Sequence, residues 1–114
     1  MSEYRTPFGG FVGYTATGDV VAERTLEWDD PNGPSVGILH YNIYESILGP
    51  DPSSGDFQLL VKIPVPEKET TVTFDPGSDR WYFATASNRD TEADPSNVVK
   101  ATAVKPASLI LRIK

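Results

Sequence analysis

Nine glycines and ten prolines cut this chain into short segments in which β-branched and aromatic residues alternate with polar ones. Runs of that kind, bounded by turn-forming residues, specify strands of an all-β sandwich or barrel. No long stretch repeats its apolar residues at the helical interval, so helix is excluded as the main element. At 114 residues the chain is long enough for one domain with one modest core between two layers.

The alternation predicts seven antiparallel strands. Residues 15–23 form an irregular first strand around Val20 and Val21. Residues 25–29 follow, with Leu26 and Trp28 on one face, until the turn sequence at 30–34 stops them. Residues 38–46 put Leu39, Tyr41, Ile43 and Glu45 opposite His40, Asn42, Tyr44 and Ser46. Residues 57–63 place Phe57, Leu59, Val61 and Ile63 together, and residues 70–74 align Val72 with Phe74. Strands at 81–88 and 98–104 complete the set. Trp28, Tyr41, Ile43, Leu59, Val72 and Phe74 are the expected structural core, filling a gap of ~10 Å between two sheets. The organisation expected is a Gly- and aromatic-rich N-terminal arm at 1–14, the sandwich at 15–106, and a C-terminal apolar arm or extra strand at 107–114.

Five motifs in this order resemble the fibronectin type III family. Leu26-Glu-Trp28-Asp-Asp-Pro31 is similar to its B strand, with a buried Trp before a Pro-containing turn. Tyr41-Asn-Ile43-Tyr44 resembles the C strand, and Phe74-Asp-Pro76-Gly77 the corner between strands E and F. Trp81 to Asn88, then Pro95 to Thr102, resemble strand F, its following loop and strand G. The resemblance covers residues 25–106 and implies a seven-stranded sandwich. One feature departs from it. The family usually places a Tyr six residues after the corner's apolar residue, and that position is Arg80, with Trp81 next to it. The register of residues 81–88 is therefore open, because a slip of one residue exchanges the two faces.

Reactive constellations are missing from the sequence. There is no cysteine, which excludes disulfides and thiolate chemistry, and the one histidine, His40, has no partner at motif spacing. The glycines at 9, 10 and 13 lack the Lys-Ser/Thr of a phosphate loop. Asn88, Asp90, Glu92 and Asp94 superficially resemble a calcium loop. Ala93 occupies the place of the turn glycine, however, and no bidentate Glu follows, so a solvated loop is expected. The expectation is a non-enzymatic module without cofactor or metal. A net charge of −6 argues against binding along a phosphate backbone, and no run approaches the ~20 apolar residues that span a bilayer.

Contact chemistry is left to the termini. Tyr4, Phe8 and Phe11 at one end, and Leu109, Leu111 and Ile113 at the other, are the candidate partner contacts, with Arg89, Asp90 and Glu92 as loop candidates. The arms could fold back along an edge of their own sandwich, or add a strand to a neighbour's sheet. The sequence begins without a recognisable signal peptide. Single sandwich domains of the resembled family occur on bacteriophage virions, as capsid decoration or tail proteins. The resemblance thus implies a virion component whose partners are capsid or tail subunits or further copies of itself. The alternative is a glycan- or protein-binding accessory domain of a larger extracellular enzyme or adhesin, with Tyr44 and His40 available to stack on sugar rings.

Overall fold

The computed structural model describes residues 3–5, 11–14 and 20–114, with side chains from Val21 onward. It is all-β, with two four-stranded antiparallel sheets. Strands β1 (Glu3–Arg5), β2 (Phe11–Tyr14), β3 (Val20–Glu27) and β6 (Glu69–Phe74) form the first sheet, in the order β1-β2-β3-β6. Strands β4 (His40–Ser46), β5 (Gln58–Pro64), β7 (Asp79–Ser87) and β8 (Val99–Thr102) form the second, in the order β5-β4-β7-β8. A single 3₁₀ turn, Pro34–Val36, is the other regular element among the described residues.

Among the described residues eight strands stand where alternation predicts seven. The expected strands at 15–23 and 25–29 are one, because β3 runs unbroken from Val20 to Glu27 against the whole of β6. The N-terminal arm, expected to hold one short strand at most, contributes both β1 and β2. Its backbone pairs into the sheet, Val12 opposite Ala22 and Gly13 opposite Val21. Beyond Thr102 there is no further strand, so residues 107–114 are an arm and not an added strand of their own sheet.

Apolar side chains from both sheets meet between them: Ala22 and the β6 pair Val72 and Phe74 from one, Ile43, Tyr82 and Ala101 from the other. Leu26, Trp28, Val61, Ile63 and Ala84 pack around this cluster. Tyr41 is buried as expected and meets the half-buried Trp28 edge-on, with ring centroids 5.4 Å apart. At 1% exposure each, Ile43 and Tyr82 are the deepest large side chains. The corner after β6 turns through Gly77, whose φ of +85° is a conformation that side chains with a Cβ avoid.

One expected core residue is displaced. Leu59 is 49% exposed, because the ladder between β4 and β5 slips between Ile43 and Tyr44. Ile43 pairs with Val61 but Tyr44 pairs with Leu59, so Leu60 is an extra residue on the β5 side. A bulge of this kind bends the strand and reverses its faces beyond that point. Val61 and Ile63 consequently pack on the core, whereas Leu59 takes the face of Tyr44, and Phe57 packs on Phe83. Leu39, expected inward, is likewise exposed, just before β4 begins.

Candidate functional site

The register left open for residues 81–88 is settled by three consecutive aromatic residues. Tyr82 points into the core and Phe83 to the outer face. The Tyr82 hydroxyl donates to Glu45 Oε2 at 2.8 Å, across the directly opposed Glu45–Tyr82 pair. Burial, and then the neighbouring Glu45 carboxylate, raise the phenol's pKa well above its ordinary value. The position six residues after Phe74 remains Arg80, so no tyrosine hydroxyl acts there.

The outer face of the second sheet is partly covered, which alternation alone would not predict. Phe83 is buried between two rings: Tyr44 stacks on it at 4.7 Å and Phe57 tilts against it at the same distance. Further along this face Asn42, Thr85 and Ser87 are also buried, although they are polar. Each takes part in at least one internal hydrogen bond, as burial demands. Asn42 Nδ2 donates to Thr85 Oγ1 at 2.9 Å and to Ser87 Oγ at 2.8 Å.

Glu92 closes this network from the loop that follows β7. Its Oε2 accepts from the Tyr44 hydroxyl at 2.6 Å, from Asn42 Nδ2 at 3.1 Å and from the Thr85 hydroxyl. These bonds, Thr85's first, hold its carboxyl below the ordinary 4.5, with burial opposing and the Lys62 charge assisting. The loop backbone is fastened as well, by an isolated bridge from Ser87 to Glu92 and by bonds from the Ala93 and Ser96 amides to Ala86 and Ala84. The acidic loop is exposed throughout residues 89–97, as a solvated loop should be, and is strapped to the sheet through Glu92. Its three candidate contacts Arg89, Asp90 and Glu92 are all exposed, and the Glu92 carboxylate also bonds the sheet. No group of three or more acidic or histidine side chains is arranged to hold a metal ion among the described residues.

At one end of the sandwich a groove of about 570 Å³ is lined by Glu27, Trp28, Asp29, Glu67, Lys68 and Glu69. Trp28 Nε1 is buried there without an acceptor among the described residues. Next to it the Tyr41 hydroxyl donates to Asp30 Oδ2 at 2.7 Å. Burial and that carboxylate push the phenol up to about 12. Burial also raises Asp30, but the bonds from Tyr41 and Asn32 and the Lys68 charge outweigh it and lower its pKa. This Asp-Tyr pair fixes the turn after β3; its two polar atoms satisfy each other.

The terminal candidates separate. Tyr4 and Phe11 lie on strands whose backbones pair within the first sheet, and Phe8 lies outside the described residues. At the other end Leu109, Ile110, Leu111 and Ile113 are 95, 82, 95 and 101% exposed. Four large apolar side chains in five residues thus stand clear of the body. Comparison with protein-family models and with curated protein sequences gives no match for this chain.

Sequence reasoning missed Tyr82, Phe83 and the role of Glu92. The run Trp81-Tyr82-Phe83 was a usable signal, since successive residues of a strand point to opposite faces and three aromatics in a row require both to be covered. For Glu92 no such signal exists, because two of its three partners, Asn42 and Tyr44, are distant in sequence.

Proposed function

We propose that this chain is a non-enzymatic structural and interaction module, a fibronectin type III-like sandwich that docks on a protein partner through its C-terminal arm. The observation that carries the reading is the near-complete exposure of Leu109, Ile110, Leu111 and Ile113, four large apolar side chains within five residues. Contiguous exposed apolar side chains of this kind mark interaction sites.

The fold part of the proposal is supported by strand order. With β3 and β6 as strands B and E, and β4, β7 and β8 as C, F and G, the two sheets group as immunoglobulin-type sandwiches do. The seven strands of that pattern then accompany one extra N-terminal strand, β1.

The setting we propose is a bacteriophage virion, as a capsid decoration or tail accessory subunit with capsid or tail proteins as partner. A particle lattice presents the same sheet edge many times, and strand addition secures one subunit per edge through main-chain bonds with little demand on sequence. The alternative, an accessory domain that stacks sugars on Tyr44, is disfavoured: that ring already stacks on Phe83 and its hydroxyl is held by Glu92. Removing residues 107–114 tests the reading. The truncated chain should melt with the parent yet fail to cosediment with particles built from the partner subunits. Cosedimentation equal to the parent's would overturn it.

A further inference from the structure

The arm differs from the body in charge as well as in exposure. Residues 107–114 carry two of the chain's ten cationic residues, Arg112 and Lys114, with Lys105 just before them, and none of its sixteen acidic ones. The rest of the chain keeps eight cations against sixteen acids, a net charge of −8 beside an arm of +2. An apolar, basic segment is thus tethered to an acidic body, a complementarity that draws the arm of one copy towards the body of another.

The body also offers a matching place. Edge strands present a row of unpaired amides and carbonyls that can accept a further strand. Strand β5 is such an edge, pairing with β4 alone among the described residues. It spans the seven residues Gln58–Pro64, the same length as 108–114. Because of its bulge it exposes two consecutive leucines, Leu59 at 49% and Leu60 at 45%, so its outer edge is apolar on more than one side. The segment between β4 and β5 exposes Ile47 and Leu48 besides. The opposite edge of this sheet, β8, has four residues and less to offer.

We propose that the occupant of the β5 edge is the C-terminal arm of a second copy of this chain, added as an antiparallel strand. The proposal rests on the docking role of the arm given above and names its partner. In the antiparallel sense the cationic end of the arm, Arg112 and Lys114, runs towards Asp56 just before β5. Lys105, just before the other end of the arm, runs towards Glu67 just beyond β5. Lys62, the one charged residue of β5, then lies opposite the apolar middle of the arm. Arm and edge are different surfaces, so the contact is heterologous and can repeat from copy to copy.

The absence of cysteine makes a direct test available. The Leu60→Cys and Leu111→Cys variants are purified separately, mixed, and oxidised at increasing concentration, while sedimentation equilibrium follows the parent, the Leu60→Lys variant and the chain lacking residues 107–114. Leu60 is exposed, so both of its substitutions leave the core intact. The expected result is a mixed disulfide dominant over either homodimer, with association of the parent that weakens about tenfold or more in Leu60→Lys, falls with added salt and is lost on truncation. A monomeric parent at all concentrations with no mixed disulfide would overturn the second copy as partner. If truncation still abolished cosedimentation with particles in that case, docking through the arm would stand with a different acceptor. If truncation left cosedimentation unchanged as well, both readings would fall.

Discussion

Residues 39–46 and residues 107–114 are similar in length and both rich in large apolar side chains, yet the protein treats them in opposite ways. In β4, Ile43 and Tyr41 are buried in the core, Ser46 and Asn42 are buried on the far side, and nearly every polar atom has a partner. In the arm, the apolar side chains contact solvent and no hydrogen-bonded element forms. Apolar surface left in water costs roughly 25 cal/mol per Å² relative to burial. A strand such as β4 avoids that cost within its own chain, and the arm can avoid it only against another surface. The difference locates stability in one region and contact in the other.

That separation can be broken most forcefully at the core. Ile43→Ala removes side-chain volume from the deepest point between the sheets and should cost about 2–5 kcal/mol, with a melting temperature lowered by several degrees and docking lost only through unfolding. A calorimetric midpoint within a degree or so of the parent would show that the core lies elsewhere. Next in size, Tyr82→Phe keeps the ring but removes the donor to Glu45, and should cost about 1–2 kcal/mol in denaturant unfolding. If the cost were absent, the Glu45–Tyr82 bond would add nothing beyond the packing of the ring.

The roof over the outer face sharpens the comparison through pH. Glu92 titrates below its ordinary 4.5 in the folded chain, so its contribution is present above about that pH and lost as pH falls through the lower folded value. Being largely exposed, the carboxylate adds about 1 kcal/mol or less. Glu92→Gln should therefore lower stability slightly at neutral pH and flatten the decline as pH falls below the carboxyl's ordinary value. Identical acid limbs for parent and variant would mean that the strap contributes nothing to folding. Asp30, also shifted down, supplies part of the remaining slope.

These residues also mark how far the sequence could be read. Alternation found the two-layer β architecture and the burial of Tyr41, Ile43, Val72 and Phe74, because side-chain period and core-facing position coincide in regular strands. It failed at Leu59, where one inserted residue reverses the faces. The adjacent pair Leu59-Leu60 was the only trace of the bulge. It also failed at β1 and β2, whose pairing with each other and, through β2, with β3 is a tertiary choice that a Gly-rich segment does not declare. The exposed arm was legible as an excess of apolar residues beyond Pro106, and its place outside the fold followed only once the sheets were seen to close without it. The Glu92 strap was illegible, since it depends on partners brought together by the sheet.

The smallest expected effect on folding is paired with the largest on contact. Removing residues 107–114 should leave the melting temperature within about a degree of the parent, since these side chains touch little of the body. The same truncation, examined by sedimentation of parent and variant alone and with partner particles, tests the central claim most directly. The account predicts that the truncated chain stays folded and loses every association that the parent shows. A truncated chain that associates as the parent does would contradict it.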